Sequence, residues 1–224
     1  MKLVPRITHV LFDLDGTLAD TAADLGAALN VVRYEEGLPP LQLEHIRPAV
    51  SRGAGGMIRL GFGTGADDPR FGARRERLLD HYRRSLSEHT VLFPGMDQLL
   101  RELEDGGYIW GVVTNKSAEF TEPLLRDLGL LDRAGCVVAG DMVEEPKPHP
   151  AALLRACALL RCEPARAVYV GDAERDIEAG RRAGMPAVIA AYGYLDDGDV
   201  IEAWKADGII RNPLELLDWL SRSA

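Results

Sequence analysis

Long apolar runs are missing from this 224-residue chain. None approaches the roughly 20 residues that a bilayer-spanning helix needs, so no membrane partner is expected. A leader peptide is not expected either, because the apolar stretch after Lys2 and Arg6 runs into Asp13 and Asp15. Cysteine is scarce. Cys136, Cys157 and Cys162 are odd in number and lack metal-ligand spacing, which reads as free thiols in a reducing cytoplasm. Positive charge is in short supply, with 26 Lys+Arg against 35 Asp+Glu and a net charge of −9. That deficit argues against nucleic acid as a partner. Repeats and low-complexity tracts are absent. Lysine is absent from residues 18–87, where ten arginines face nine acidic residues. Arginine suits a forked grip on carboxylate or phosphate, although a salt-bridged helical surface would use the same residues. The surplus of acid lies outside this stretch.

What is present is ordinary for a globular protein: 46% hydrophobic and 27% charged residues. The length suits one large domain, or a domain carrying an insert. Residues 7–12 read as a strand. From 18 to 88 no strand pattern is visible, and the apolar spacing predicts helices over 21–36, near 43–46, within 51–65 and over 69–88. After Pro94-Gly95 the pattern changes. Helices predicted at 96–105, 117–128, 150–160 and 175–183 alternate with strands at 108–114, 136–139, 167–170 and 187–191. A last strand at 208–211 and a last helix at 214–220 follow. Alternation of this kind implies right-handed crossovers and a parallel sheet covered on both faces. The expected architecture is α/β, a Rossmann-like parallel-sheet core of residues 1–17 and 89–224 interrupted by an all-helical cap at 18–88. In such sheets ligands bind beyond the carboxyl ends of the strands.

Four polar motifs fall at those ends. The first is Val10-Leu11-Phe12-Asp13-Leu14-Asp15-Gly16-Thr17, a buried strand running into two carboxylates and a turn. In an extended chain Asp13 and Asp15 project the same way. Burying two like charges is costly without a cation or a task, so the pair points to a metal-assisted site with a nucleophile and a proton shuttle. Val112-Val113-Thr114-Asn115-Lys116 closes a second strand. Glu145-Pro146-Lys147-Pro148-His149-Pro150 holds a lysine in a stiff frame, with Pro148 biasing Lys147 toward an extended backbone. Tyr169-Val170-Gly171-Asp172-Ala173-Glu174-Arg175-Asp176 ends a further strand and opens a helix.

Taken in order, these motifs resemble those of the haloacid dehalogenase-like phosphatases, and the resemblance spans essentially the whole chain. It implies Mg²⁺ as cofactor, held by Asp13, the backbone carbonyl of Asp15 and Asp172. It implies Asp13 as the nucleophile and Asp15 as the acid and base. Thr114 and Lys147 would stabilise the phosphoryl oxygens, with Asn115 binding substrate beside Thr114. Asp176 would sit behind the metal ligands and orient Lys147 or a water on the metal. An acid at position 15 marks the phosphatases and phosphomutases of this superfamily.

Substrate choice falls to the cap. The cap position and Tyr192-Gly193-Tyr194 resemble the phosphoglycolate phosphatase-like family. Ser51-Arg52-Gly53-Ala54-Gly55-Gly56 is the candidate specificity loop, with Arg52 and Gly53 as substrate-binding residues and Arg52 facing a substrate carboxylate. The expected partner is a small phosphorylated metabolite, 2-phosphoglycolate or a similar carboxylated ester. N-acetylmuramate 6-phosphate is the rival, and a β-phosphoglucomutase-like mutase a more distant one. The sequence sets no oligomeric state.

Overall fold

A computed structural model of the protein describes residues 6–222. Lys2, weighed above with the leader, lies outside them. The chain forms two units, Met1–Ala19 with Leu92–Ala224, and Asp20–Val91. No helix among the described residues is long and apolar enough to cross a membrane.

The first unit opens with β1 (His9–Phe12). At the passage between the units lie β2 (Ala19–Asp20) and β3 (Val91–Leu92), which pair as a two-stranded sheet. The expectation of no strand between 18 and 88 therefore fails at Ala19–Asp20. Two residues carry no period, and their partner lies far along the chain.

Between these strands, the inserted unit holds α1 (Ala22–Glu35), α2 (Leu43–Val50), α3 (Gly53–Phe62) and α4 (Phe71–Arg84). Leu25, Leu29 and Val32 of α1, Ile46 of α2, Ile58 of α3 and Leu78 of α4 are all buried. Helix α1 stops at Gly37, whose φ of 71° suits glycine. There Leu38 N–H reaches Arg33 O at 2.9 Å and Gly37 N–H reaches Tyr34 O at 3.0 Å, the paired closing bonds of a Schellman motif. Much of the arginine is consumed inside this unit. Arg74 pairs with Glu36 at 2.6 Å and Asp68 at 3.0 Å, Arg77 with Glu35 at 2.7 Å, and Arg47 with Asp20 at 2.9 Å.

The sheet unit continues with α5 (Met96–Asp105), β4 (Ile109–Val113), α6 (Ala118–Asp127), β5 (Val137–Val138) and α7 (Ala151–Leu160). Then come β6 (Ala167–Gly171), α8 (Glu174–Ala183), β7 (Ala187–Ala190), β8 (Gly208–Ile210) and α9 (Glu215–Arg222). The six-stranded sheet runs β5-β4-β1-β6-β7-β8, every pair parallel. Strand β6 reads Ala-Val-Tyr-Val-Gly and is buried at every position, as a strand covered on both faces must be. Leu11, Val113, Val138 and Tyr169 cluster with Leu153 and Ala156 of α7 and Ala179 of α8. The alternate residues Val10, Phe12, Val112 and Val168 are equally buried. From β1 the sheet grows to β4 and β5 on one side and to β6, β7 and β8 on the other. The carboxyl ends of β1, β4 and β6 thus meet where the strand order reverses, the usual ligand position in such sheets.

Candidate active site

Strand β1 ends at Phe12, and residues 14–18 form a turn held by Gly16 N–H to Ala19 O at 3.0 Å and Leu18 N–H to Leu14 O at 3.0 Å. The turn, rather than strand alternation, sets the directions of Asp13 and Asp15. Gly16 has a φ of 84°, and a Cβ there would collide with the Asp172 carboxylate. Only glycine lets the turn lie this close to the end of β6.

Asp13 is 2% exposed. Its main-chain N–H donates to Val170 O of β6 at 2.9 Å, and its Oδ1 accepts from Leu14 N–H at 2.7 Å. Lys147 Nζ stands 3.0 Å from the same oxygen. Lys147 is itself buried and lies 2.8 Å from Asp176 Oδ1. It also donates to Val113 O at 3.2 Å and to the Tyr169 hydroxyl at 2.6 Å, and that hydroxyl donates to Val113 O at 2.7 Å. A lysine so enclosed has its position fixed from several sides. The sequence reading places Asn115 on the substrate. In the structure both ends of its amide are taken by the Lys147 backbone: Asn115 Oδ1 accepts Lys147 N–H at 3.0 Å, and Nδ2 donates to Lys147 O at 3.1 Å. Asn115 therefore clamps the lysine loop. Thr114 is buried beside it, and its Oγ1 accepts Lys116 N–H at 3.2 Å.

Asp172 Oδ1 accepts from the Thr17 hydroxyl at 3.2 Å, and Oδ2 from Tyr194 N–H at 2.9 Å. Burial, then the nearby Asp176 and Asp13 charges, push its carboxyl up to about 7. Burial likewise pushes Asp13 above the usual carboxylate range, with Lys147 opposing. Against the opposing effect of its own burial, Lys147 and Arg175 hold Asp176 below that range. Asp176 Oδ2 also accepts Ala173 N–H at 3.0 Å. Asp13 and Asp176 thus share one lysine while their affinities for a proton are driven apart.

Oxygens of Asp13, Asp172 and Asp176 lie within 4.8 Å of one another. Three buried carboxylates this close repel one another, which adds to burial in raising the carboxyls of Asp13 and Asp172. Such a donor set, all hard oxygen, could hold a metal ion. Each of the three already meets protein groups, Asp176 through Lys147 Nζ at 2.8 Å and Ala173 N–H at 3.0 Å.

Three neighbours went unassigned in the sequence. Lys116 Nζ donates to Asp15 Oδ1 at 2.9 Å. Tyr169 ties Lys147 to β4. Arg175 lies 3.9 Å from Asp13 Oδ2. The available signals were a lysine directly after Thr114-Asn115, a tyrosine in an otherwise aliphatic strand, and an arginine inside the spacing from Asp172 to Asp176. Arg52 and Gly53 lie in the other unit, exposed at the start of α3. Gly53 has a φ of 67°.

The haloacid dehalogenase-like hydrolase profile matches residues 10–190, a span containing all four motifs. The chain belongs to the haloacid dehalogenase-like hydrolases. Among its relatives is the N-acetylmuramic acid 6-phosphate phosphatase of Pseudomonas aeruginosa, 41% identical over 218 residues, with 97% of this chain and 96% of that one covered. A phosphoglycolate phosphatase of Xanthomonas campestris pv. campestris is also 41% identical, over 208 residues, covering 92% of this chain and 93% of the relative. Among solved structures, a protein of Haemophilus somnus 129pt described as a predicted phosphoglycolate phosphatase superposes with a TM-score of 0.84. It is 26% identical, with 95% and 97% of the two chains covered. This haloacid dehalogenase-like hydrolase is therefore similar over more than nine-tenths of its length to proteins named as phosphatases.

Proposed function

We propose that this hydrolase is a Mg²⁺-dependent phosphomonoesterase working through an aspartyl-phosphate, with a small carboxylated phosphate ester such as 2-phosphoglycolate as substrate. The observation that carries the reading is the buried Asp13 carboxylate facing Lys147 at 3.0 Å, at the switch point of the sheet.

Asp13, Asp172 and the backbone carbonyl of Asp15 would hold Mg²⁺, which supplies charge neutralisation on the phosphoryl oxygens. In the first step an Asp13 oxygen attacks phosphorus and the ester P–O bond breaks. Asp15 gives its proton to the departing alkoxide. Lys147, held by Asn115, Tyr169 and Asp176, presents its charge to the phosphoryl group. Thr114 contributes its hydroxyl. In the second step Asp15 takes a proton from water, the water oxygen attacks phosphorus, and the bond to Asp13 breaks. Inorganic phosphate leaves and both carboxyl groups return to their starting states. Burial serves this chemistry, since charge–charge interactions strengthen where water is excluded.

A second reading has its own support. The Pseudomonas aeruginosa relative is named for N-acetylmuramic acid 6-phosphate. Its substrate and 2-phosphoglycolate share a phosphomonoester and a carboxylate, so one catalytic core serves either. We assign the choice between them to Arg52 and Gly53. The three free cysteines suit an enzyme of the reducing cytoplasm.

The test is phosphate release with Mg²⁺, and with EDTA as control, from 2-phosphoglycolate, N-acetylmuramate 6-phosphate, hexose phosphates and nucleotides. A tenfold lead in kcat/KM, about 1.4 kcal/mol of transition-state discrimination, names the substrate. Arg52→Ala should then lower kcat/KM for that carboxylated ester more than for phenyl phosphate. Release from none of the panel overturns the reading.

A further inference from the structure

Arg175 lies inside the fourth motif without an assigned task. It sits in the first turn of α8, next to Asp176. Its guanidinium approaches Asp13 Oδ2 at 3.9 Å, too far for a hydrogen bond. The side chain is 24% exposed, its Nε is closed off from solvent, and that nitrogen has no hydrogen-bond partner among the described residues. A guanidinium carries five donors in a planar fork, and leaving buried donors unmatched is unfavourable. Lys147 shows the contrast, with each of its contacts satisfied by protein groups.

With Asp15 carrying the proton that it gives to the leaving group, the charges of Asp13, Asp172 and Asp176 balance those of Lys116, Lys147 and Arg175. A divalent cation on the Asp13 and Asp172 carboxylates leaves two positive charges in excess, the match for a phosphate dianion. With Arg175 replaced by a neutral residue, the loaded site keeps only one.

We propose that Arg175 is a phosphoryl-binding residue whose guanidinium takes the non-bridging oxygens of the group attacked by Asp13. The inference rests on the phosphatase reading and gives a role to a residue that the resemblance leaves unassigned. Lys147 is committed to Asp176 and Tyr169. Arg175 is the cation next to the nucleophile with donors to spare, and its fork matches two oxygens of a tetrahedral phosphate.

Two titrations by calorimetry test this, inorganic phosphate with Mg²⁺ present and Mg²⁺ alone, on wild type, Arg175→Gln and Arg175→Lys. The expected result for Arg175→Gln is phosphate binding weakened tenfold or more together with Mg²⁺ binding unchanged or tighter, because a cation beside the acidic cluster has been removed. Arg175→Lys should fall between the two. A purely structural arginine would loosen both ligands together, and that result overturns the inference. So does phosphate affinity within twofold of wild type in Arg175→Gln. If Arg175→Gln does not fold, Arg175→Lys decides alone: phosphate weakened with Mg²⁺ retained supports the assignment, and unchanged phosphate affinity rejects it. Absence of phosphate binding to wild type would instead strike the phosphatase reading.

Discussion

Lys116 Nζ donates to Asp15 Oδ1 at 2.9 Å, and the two side chains are 8% and 17% exposed. The contact joins the turn after β1 to the end of β4 across 101 residues of sequence. It fixes the carboxyl group on which both proton transfers of the proposed reaction depend. Lys116→Met should therefore slow hydrolysis of alkyl phosphates, whose leaving groups need a proton, by about 10²-fold, in keeping with the usual worth of a positioned acid. In kcat/KM, which is set by formation of the phosphoenzyme, 4-nitrophenyl phosphate, with its good leaving group, should fall far less, and equal losses in kcat/KM on both substrates would show that Lys116 does not act through Asp15 as the acid.

Asp13→Asn keeps the shape of the site and removes the nucleophile. Turnover should drop by about 10⁴-fold or more, the scale seen when a single member of a catalytic unit is lost. Asp15→Asn should lose most activity and accumulate phosphoenzyme, detectable by intact mass after rapid acid quench. Wild-type turnover in Asp13→Asn would dispose of the covalent mechanism.

Asn115 binds the Lys147 main chain from both sides, at 3.0 and 3.1 Å. Asn115→Ala removes both bonds and leaves backbone groups to find other partners, a loss of about 1–3 kcal/mol. Stability in urea should fall by that amount. Because Lys147 is freed, kcat should fall more than KM changes. A variant that unfolds earlier yet retains kcat would separate the clamp from catalysis.

The parallel sheet was legible because its strands are short, continuously apolar and spaced by helical patterns, as in Ala167–Gly171. The carboxylates and Lys147 were legible because each stands at a strand end or in a proline frame. The hold of Asn115 on the lysine loop was not legible because its partners lie 32 residues away, and nothing local distinguishes an amide that holds a loop from one that holds a substrate. Asp24 shows the same limit within the inserted unit. It is 1% exposed and accepts from His89 N–H at 3.0 Å, Thr90 N–H at 2.8 Å and the Thr90 hydroxyl at 2.7 Å. In sequence it is one more acid in the first turn of a helix. Asp24→Ala should destabilise the protein by about 3 kcal/mol, since several buried donors lose their acceptor at once.

Without a metal ion, burial and the neighbouring Asp176 and Asp13 push the Asp172 carboxyl up to about 7 from an ordinary 3.8. The folded state therefore holds a proton that the unfolded chain releases between those values. Stability must fall as pH rises through that window, because the folded state is the one binding more protons. Burial raises Asp13 as well, which adds to the slope in the same direction. Cation binding has the opposite dependence, since the proton on Asp172 has to leave, so Mg²⁺ affinity should climb as pH rises toward neutrality. Thermal melts in EDTA between about pH 5 and pH 7.5 should show Tm declining with pH. The stabilisation conferred by Mg²⁺ should grow over the same range. Asp172→Asn removes the group responsible, so its EDTA melts should be flatter and its Mg²⁺ response small at every pH. An Asp172→Asn protein with the wild-type slope would place the buried proton on another residue.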